Sequence, residues 1–176
     1  MDAKTLEGET DAVANTVASW ISRGYLPGVT PDAPGRAREF DVNLATHIAI
    51  MASLTHFGFR PTLASLAAGL SLSSLKKGYR YTLVADPKQE GPADEAGEKL
   101  GLTIEPFNSD AREALEKVAP EERPLTYLTI DVAAWMDKMQ NVEAKYQSDP
   151  EIIKRRRMAE LRAEMRSITE GGLSNG

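Results

Sequence analysis

His47 and His56 are the only histidines among 176 residues, and imidazole is the side chain best suited to move protons or hold a metal near neutral pH. They stand nine residues apart on one expected helix. At about 100° per residue they point to opposite sides and cannot share a metal. His47, between Leu44 and Ile48, is expected to pack partly buried, and His56, beside Gly58, suits the negative end of the helix dipole. Cysteine is absent, which excludes disulfides, thiolate zinc sites and cysteine nucleophiles. Asp131 ends an apolar strand, where α/β sheets place catalytic acids, yet the same position caps the helix beginning at Val132, and the cap is the preferred reading. Glu95, Glu98, Glu121 and Glu122 have no partner at metal-ligand spacing. No GxGxxG, GxxxxGK[ST] or GxSxG pattern occurs. The expectation is a protein that is not an enzyme, without catalytic residues, metal or cofactor.

Hydrogen bonding and charge remain, and the charge is uneven. The net charge is -5. From Ala12 to Gly78 the bases Arg23, Arg36, Arg38, Arg60, Lys76 and Lys77 face only Asp32, Glu39 and Asp41, a balance of +3. Residues 79–147 carry eight bases and fourteen acids, a balance of -6, and residues 148–176 carry +1. Local fields, rather than the net value, decide what such a surface attracts.

The first part of the chain has the periodicity of helices. Val13, Val17, Trp20 and Ile21 repeat over 12–23 behind Thr10 and Asp11 as possible caps, with Gly24 as the stop. Leu44, Ile48, Met51 and Leu54 form a second stripe behind Asp41 or Asn43. Pro61 suits the first turn of a third helix carrying Leu63, Leu66 and Leu70. Alanines at 45, 49, 52, 64, 67 and 68 permit close packing. Segments 79–86, 102–107 and 125–131 then read as strands, probed by their Thr, Tyr, Val and Ile content. Helical candidates at 93–100, 110–118 and 132–146 lie between or after them, the second opening on Asp110 and Glu113 as a capping box. This alternation predicts a small three-stranded α/β unit with parallel strands.

The pieces "NTVASWISRGYLP", "GRAREFD" and "LATHIAIMASLTHFGFRPTLASLA" occur in an order that resembles the MerR-like winged helix-turn-helix domain, over about seventy residues. The resemblance implies a recognition helix followed by a two-stranded wing. It makes Asn15, Thr16, Ser19 and Ser22 the groups facing base edges, and Arg23, Arg36 and Arg38 the phosphate contacts. The first helix would be "AKTLEG", and an early arginine usual on the recognition helix is missing.

Residues 148–168 form the clearest helix of all, opened by Ser148 or Asp149 and Pro150, with the apolar line Met158, Leu161, Met165 and Ile168 below Ile152 and Ile153. That line needs a partner, and the resemblance favours its twin in a homodimer. The tail from Thr169 is expected to be disordered. No apolar run is long enough to span a membrane and the N-terminus lacks signal-peptide character, so a cytoplasmic protein is expected. The reading is thus α+β: a winged helix-turn-helix over 1–75, an α/β unit over 76–147, and an oligomerisation helix with its tail over 148–176. The expected function is sequence-specific binding of double-stranded DNA in transcription regulation. A small-terminase-like packaging protein, marked by higher-order rings, and a metabolite-binding or enzymatic α/β protein are the alternatives.

Overall fold

The computed structural model describes residues 1–30, 38–85, 103–117 and 127–172. The described elements are α1 (Ala3–Glu9), α2 (Ala14–Ser22), α3 (Val42–His56), α4 (Pro61–Lys76), β1 (Tyr81–Ala85), β2 (Thr103–Phe107), α5 (Ala111–Glu116), β3 (Tyr127–Asp131), α6 (Val132–Ser148) and α7 (Pro150–Gly172). The architecture is α+β. The helical candidate at 93–100 lies outside the described residues.

Each helix start follows from a local donor–acceptor match. Asp2, Asp41 and Asp131 accept from the backbone N–H three residues on, at 2.9, 2.8 and 2.8 Å, which satisfies one of the four orphan donors of the first turn. Asp110 accepts from Arg112 N rather than from Glu113 N, so the expected capping box does not form. The start of α2 departs from expectation too. Its N-cap is Val13, without a side-chain bond, because Thr10 instead closes α1 by donating to Leu6 O and accepting from Ala12 N. At the other end of α2, Tyr25 N reaches Trp20 O and Gly24 N reaches Ile21 O, with Gly24 at φ +73°. This is the Schellman closure, and the left-handed turn explains the glycine.

α3 is the centre of the core. Ala45, Thr46, His47, Ile48, Ala49, Ile50, Met51, Ala52 and Leu54 are all buried, because α4 covers one side and α6 another. A single apolar stripe was too narrow an expectation for a helix enclosed on so many sides. On α4 the expected leucine stripe is overturned. Leu63 is buried, but Leu66 and Leu70 are 40% and 45% exposed, and the packed face is Ala64, Ala67, Ala68 and Ser71. The physical reason is close approach: small side chains let α4 lie against α3, and leucines at those positions would force the helices apart.

The strands are antiparallel, in the order β2-β1-β3, which corrects the parallel expectation. β1 is central, with Tyr81 opposite Phe107 on one side and Asp131 on the other. β2 and β3 therefore run parallel to each other with β1 between them, and α5 joins the two. It packs Ala114 against Leu83 and Phe107. The alternation of strand and helix reflected this crossover and missed the strand inserted within it. The opposite face carries Val84 and Ile130 into one cluster with Ile48, Met51, Val132, Met139, Val142 and Tyr146, continuous across residue 75 to Leu6, Val17, Trp20 and Phe40. α7 reaches Gly172, so residues 169–172 are helical rather than part of a disordered tail.

One buried polar link crosses this core. The Ser65 hydroxyl donates to Tyr25 O, and His47 Nε2 lies 3.3 Å from Ser65 Oγ. Since the serine proton is committed to the carbonyl, Nε2 carries the imidazole hydrogen and donates. The link joins α3, α4 and the turn after α2. Burial lowers the His47 pKa from the ordinary 6.5.

Two outcomes follow. Ile48→Ala should lower stability by about 2–5 kcal/mol in urea unfolding, whereas Leu66→Ala should change it by less than about 0.5 kcal/mol, reversing the order expected from an amphipathic leucine stripe. His47 is held neutral in the fold, so the unfolded chain takes up its proton first. Stability is full above pH 6.5 and declines as pH falls below that value. The decline between pH 7.5 and 5.5 should be shallower in His47→Gln, which keeps an N–H donor but cannot titrate.

Candidate nucleic-acid interface

α2 is too short to be stable alone and is held by its inner face, where Val17 and Trp20 are buried and Ile21 packs against them. With these on one arc, about 100° per residue places Asn15, Ser19, Ser22, Arg23 and Thr16 together on the other. Asn15, Thr16, Ser22 and Arg23 are exposed, and Ser19 is half-buried. Five of the seven residues expected to contact DNA therefore share one outward surface.

Arg38 joins that surface from outside the helix. A shallow groove of about 280 Å³ is bounded by Ala3 of α1, by Ala14, Ala18 and Ser22 of α2, and by Arg38 and Phe40 of the following segment. Arg38 thus flanks α2 on the side of Ser22. Its guanidinium donates to Thr30 O, which ties the two ends of the 31–37 connection together. Arg36 lies outside the described residues.

The expected two-stranded wing is not what the described flanks of this connection form. Glu39 makes an antiparallel bridge to Asp2, and Phe40 N donates to Met1 O at 2.7 Å. The extended "REF" segment pairs with the chain ahead of α1 instead of with 27–30. Pro27, Pro31 and Pro34 lack N–H groups, so this stretch is poor material for a ladder of its own.

A set of contacts that sequence reading missed holds this segment in place. Arg156, in α7, contacts both carboxylate oxygens of Glu39 at 3.0 Å and lies over the Tyr146 ring at 5.4 Å from its centroid. Hydrogen bonding to Glu39 raises the Arg156 pKa further. Burial, with the charges of Asp2 and Glu39, raises that of the Tyr146 phenol, which stays neutral and approaches Glu39 at 3.5 Å. Close by, Glu143 Oε2 takes a 2.8 Å bond from the Met1 amino nitrogen, which also donates to Phe40 O at 2.8 Å. Burial pushes the Glu143 pKa up, but the bonds from Met1 and Gln147 outweigh it and hold the carboxyl low. Glu39 and Arg156 are 117 positions apart, and no spacing rule joins them.

For the surface the consequence is electrostatic. Glu39 is the one acid beside Arg38 in the "REF" segment, and Arg156 neutralises it. Burial pushes the Asp2 pKa up, but the bonds from Thr5 and the nearby positive charges outweigh it and hold the carboxyl low. The arrangement can offer hydrogen bonds to base edges from α2 and charge to phosphates from Arg23 and Arg38.

Asp131 caps α6 and takes two bonds from Arg80, the shorter at 2.9 Å. His47 is buried against Ser65, and His56 stands exposed with its ring edge-on to Phe57 at 5.7 Å. No group of His, Asp and Glu that could hold a metal ion is found among the described residues, nor any helix long and apolar enough to cross a membrane. No protein-family model matches the chain, and no curated protein matches it.

Proposed function

We propose that the outward face of α2, with Arg38 beside it, binds double-stranded DNA as the recognition helix of a MerR-like helix-turn-helix without the expected wing, and that the protein acts as a homodimeric transcriptional regulator. One observation carries this reading: Asn15, Thr16, Ser19, Ser22 and Arg23 share the exposed arc of a helix whose other arc is anchored in the core, and Arg38 lies alongside. Rigid anchoring matters because a recognition helix must enter the major groove without losing its own ordering entropy at that step. Asn15 supplies an amide able to meet an adenine edge with two bonds, Ser19 and Ser22 supply hydroxyls, and Arg23, Arg36 and Arg38 supply phosphate contacts.

Three arginines give little affinity at cellular salt, which is why the reading includes a dimer. α7 is 23 residues long, and Met158, Leu161 and Met165 fall along one side of it with 47%, 38% and 68% of their surface exposed. Ile168 continues that line in sequence, and its side chain lies outside those described. Ile152, by contrast, packs on the core, so the lower end of α7 is fixed while the upper end presents apolar surface. A twin helix would cover it and would double the cationic contacts on a two-fold site.

Fluorescence anisotropy with random duplex DNA should show binding whose log–log salt slope is about -5, from six arginines per dimer at roughly 0.9 each. Arg36→Ala with Arg38→Ala should reduce that slope to about -2. A protein that gives no response at low salt is not a DNA binder, and the reading then fails.

Arg156→Ala should expose Glu39 and weaken DNA binding by about threefold to tenfold, and adding Glu39→Gln should restore it, since the effect is one uncompensated charge near phosphate. Light scattering of Leu161→Lys should give a monomer where the unaltered chain gives a dimer; a ring in the unaltered chain would instead favour the DNA-packaging alternative.

A further inference from the structure

The outward arc of α2 carries no charge. From Val13 to Ser22 the chain has neither an acid nor a base, so beyond the core-facing residues it offers one amide, three hydroxyls and the methyl groups of two alanines. Side chains read the major groove by a short code. Arg and Lys meet guanine, Asp and Glu meet cytosine, Asn and Gln meet adenine, and apolar groups meet the thymine methyl. Neither base of a G·C pair has its reader on this arc, whereas both bases of an A·T pair do. Arg23 follows only at the C-cap, the end away from the one that enters the groove.

Position agrees with composition. Ala18 is exposed and Ala14 half-buried, and both line the shallow groove that Arg38 flanks. Ala18 lies about 60° around the helix from Asn15 and about 4.5 Å further along its axis, with the two Cβ atoms about 5–6 Å apart. Stacked base pairs repeat at about 3.4 Å, so an amide and a methyl at this spacing can meet the edges of neighbouring pairs. Val13 is the more telling residue. It is the N-cap of α2, where Ser, Thr, Asp or Asn would satisfy an orphan N–H, yet it makes no side-chain bond and is 50% exposed. It also stands outside the core cluster. The fold gains neither a cap nor burial from this side chain; a methyl group on the DNA would give it an apolar contact.

We infer that α2 reads A·T pairs, with Asn15 on the N6 and N7 edge of an adenine and with Ala18 and Val13 against the 5-methyl groups of neighbouring thymines. The inference rests on the proposed DNA binding and adds to it the class of base pair at the centre of each half-site. Ser19 and Ser22 both donate and accept, and so discriminate less.

The test compares the full chain on three duplexes of equal length by fluorescence anisotropy: a mixed A·T core between G·C ends, the same duplex with uracil for thymine, and the same duplex with inosine·cytosine for A·T. Uracil lacks only the 5-methyl group. Inosine·cytosine keeps the minor-groove pattern of A·T and shows the major-groove pattern of G·C, so it separates edge readout from readout of groove shape. The A·T core should bind at least about tenfold more tightly than inosine·cytosine, and Asn15→Ala should remove most of that preference. Uracil should bind about fourfold more weakly than thymine. Val13→Ser should keep or raise the melting temperature, because serine caps the helix, while shrinking the uracil effect; adding Ala18→Ser should abolish it. Equal binding of the thymine and uracil duplexes, or of the A·T and inosine·cytosine duplexes, overturns the inference and leaves DNA binding standing. Absence of binding to every duplex at low salt removes both.

Discussion

The enclosure of α3 is the constraint on which the rest of the structure depends. Nine of its fifteen residues are buried, and the two helices that cover it are far apart in the sequence. α4 follows it directly, while α6 follows the third strand some eighty residues later. A helix buried on so many sides cannot shift without disturbing every neighbour, because interiors packed like crystals transmit displacement. The turn after α2 is tied to it through Ser65 and His47, so the candidate surface on α2 is referred to one rigid axis.

Holding a surface still is only half of what recognition of an anion needs; the local field must also have the correct sign. Here the mixed charge of the chain is resolved by pairing. Glu39 would oppose the cations next to it, but Arg156 takes up its carboxylate with two contacts and stacks on Tyr146. An exposed ion pair adds little stability. Its larger effect is on position and field, since it pins α7 to the segment bearing Arg38 and removes a negative charge from beside it. The helix proposed to join two subunits and the arginine proposed to touch phosphate are mechanically connected through this one pair.

What could be read from the residues divides according to the range of the interaction. Caps and stops depend on neighbours within four positions, and Asp41, Asp131, Pro61, Gly24 and Gly58 all fall where local chemistry puts them. The outward arc of α2 was legible for the same reason, since periodicity alone separates Val17 and Trp20 from Asn15 and Ser19. Long-range choices were not. Whether leucines or alanines of α4 face inward depends on how near α3 lies, and both sets have helical spacing. Strand direction depends on which strand enters the sheet between which others, and β1 between β2 and β3 leaves no trace in the order of elements. The Glu39–Arg156 pair and the bridge from Glu39 to Asp2 join positions that only the finished fold brings together.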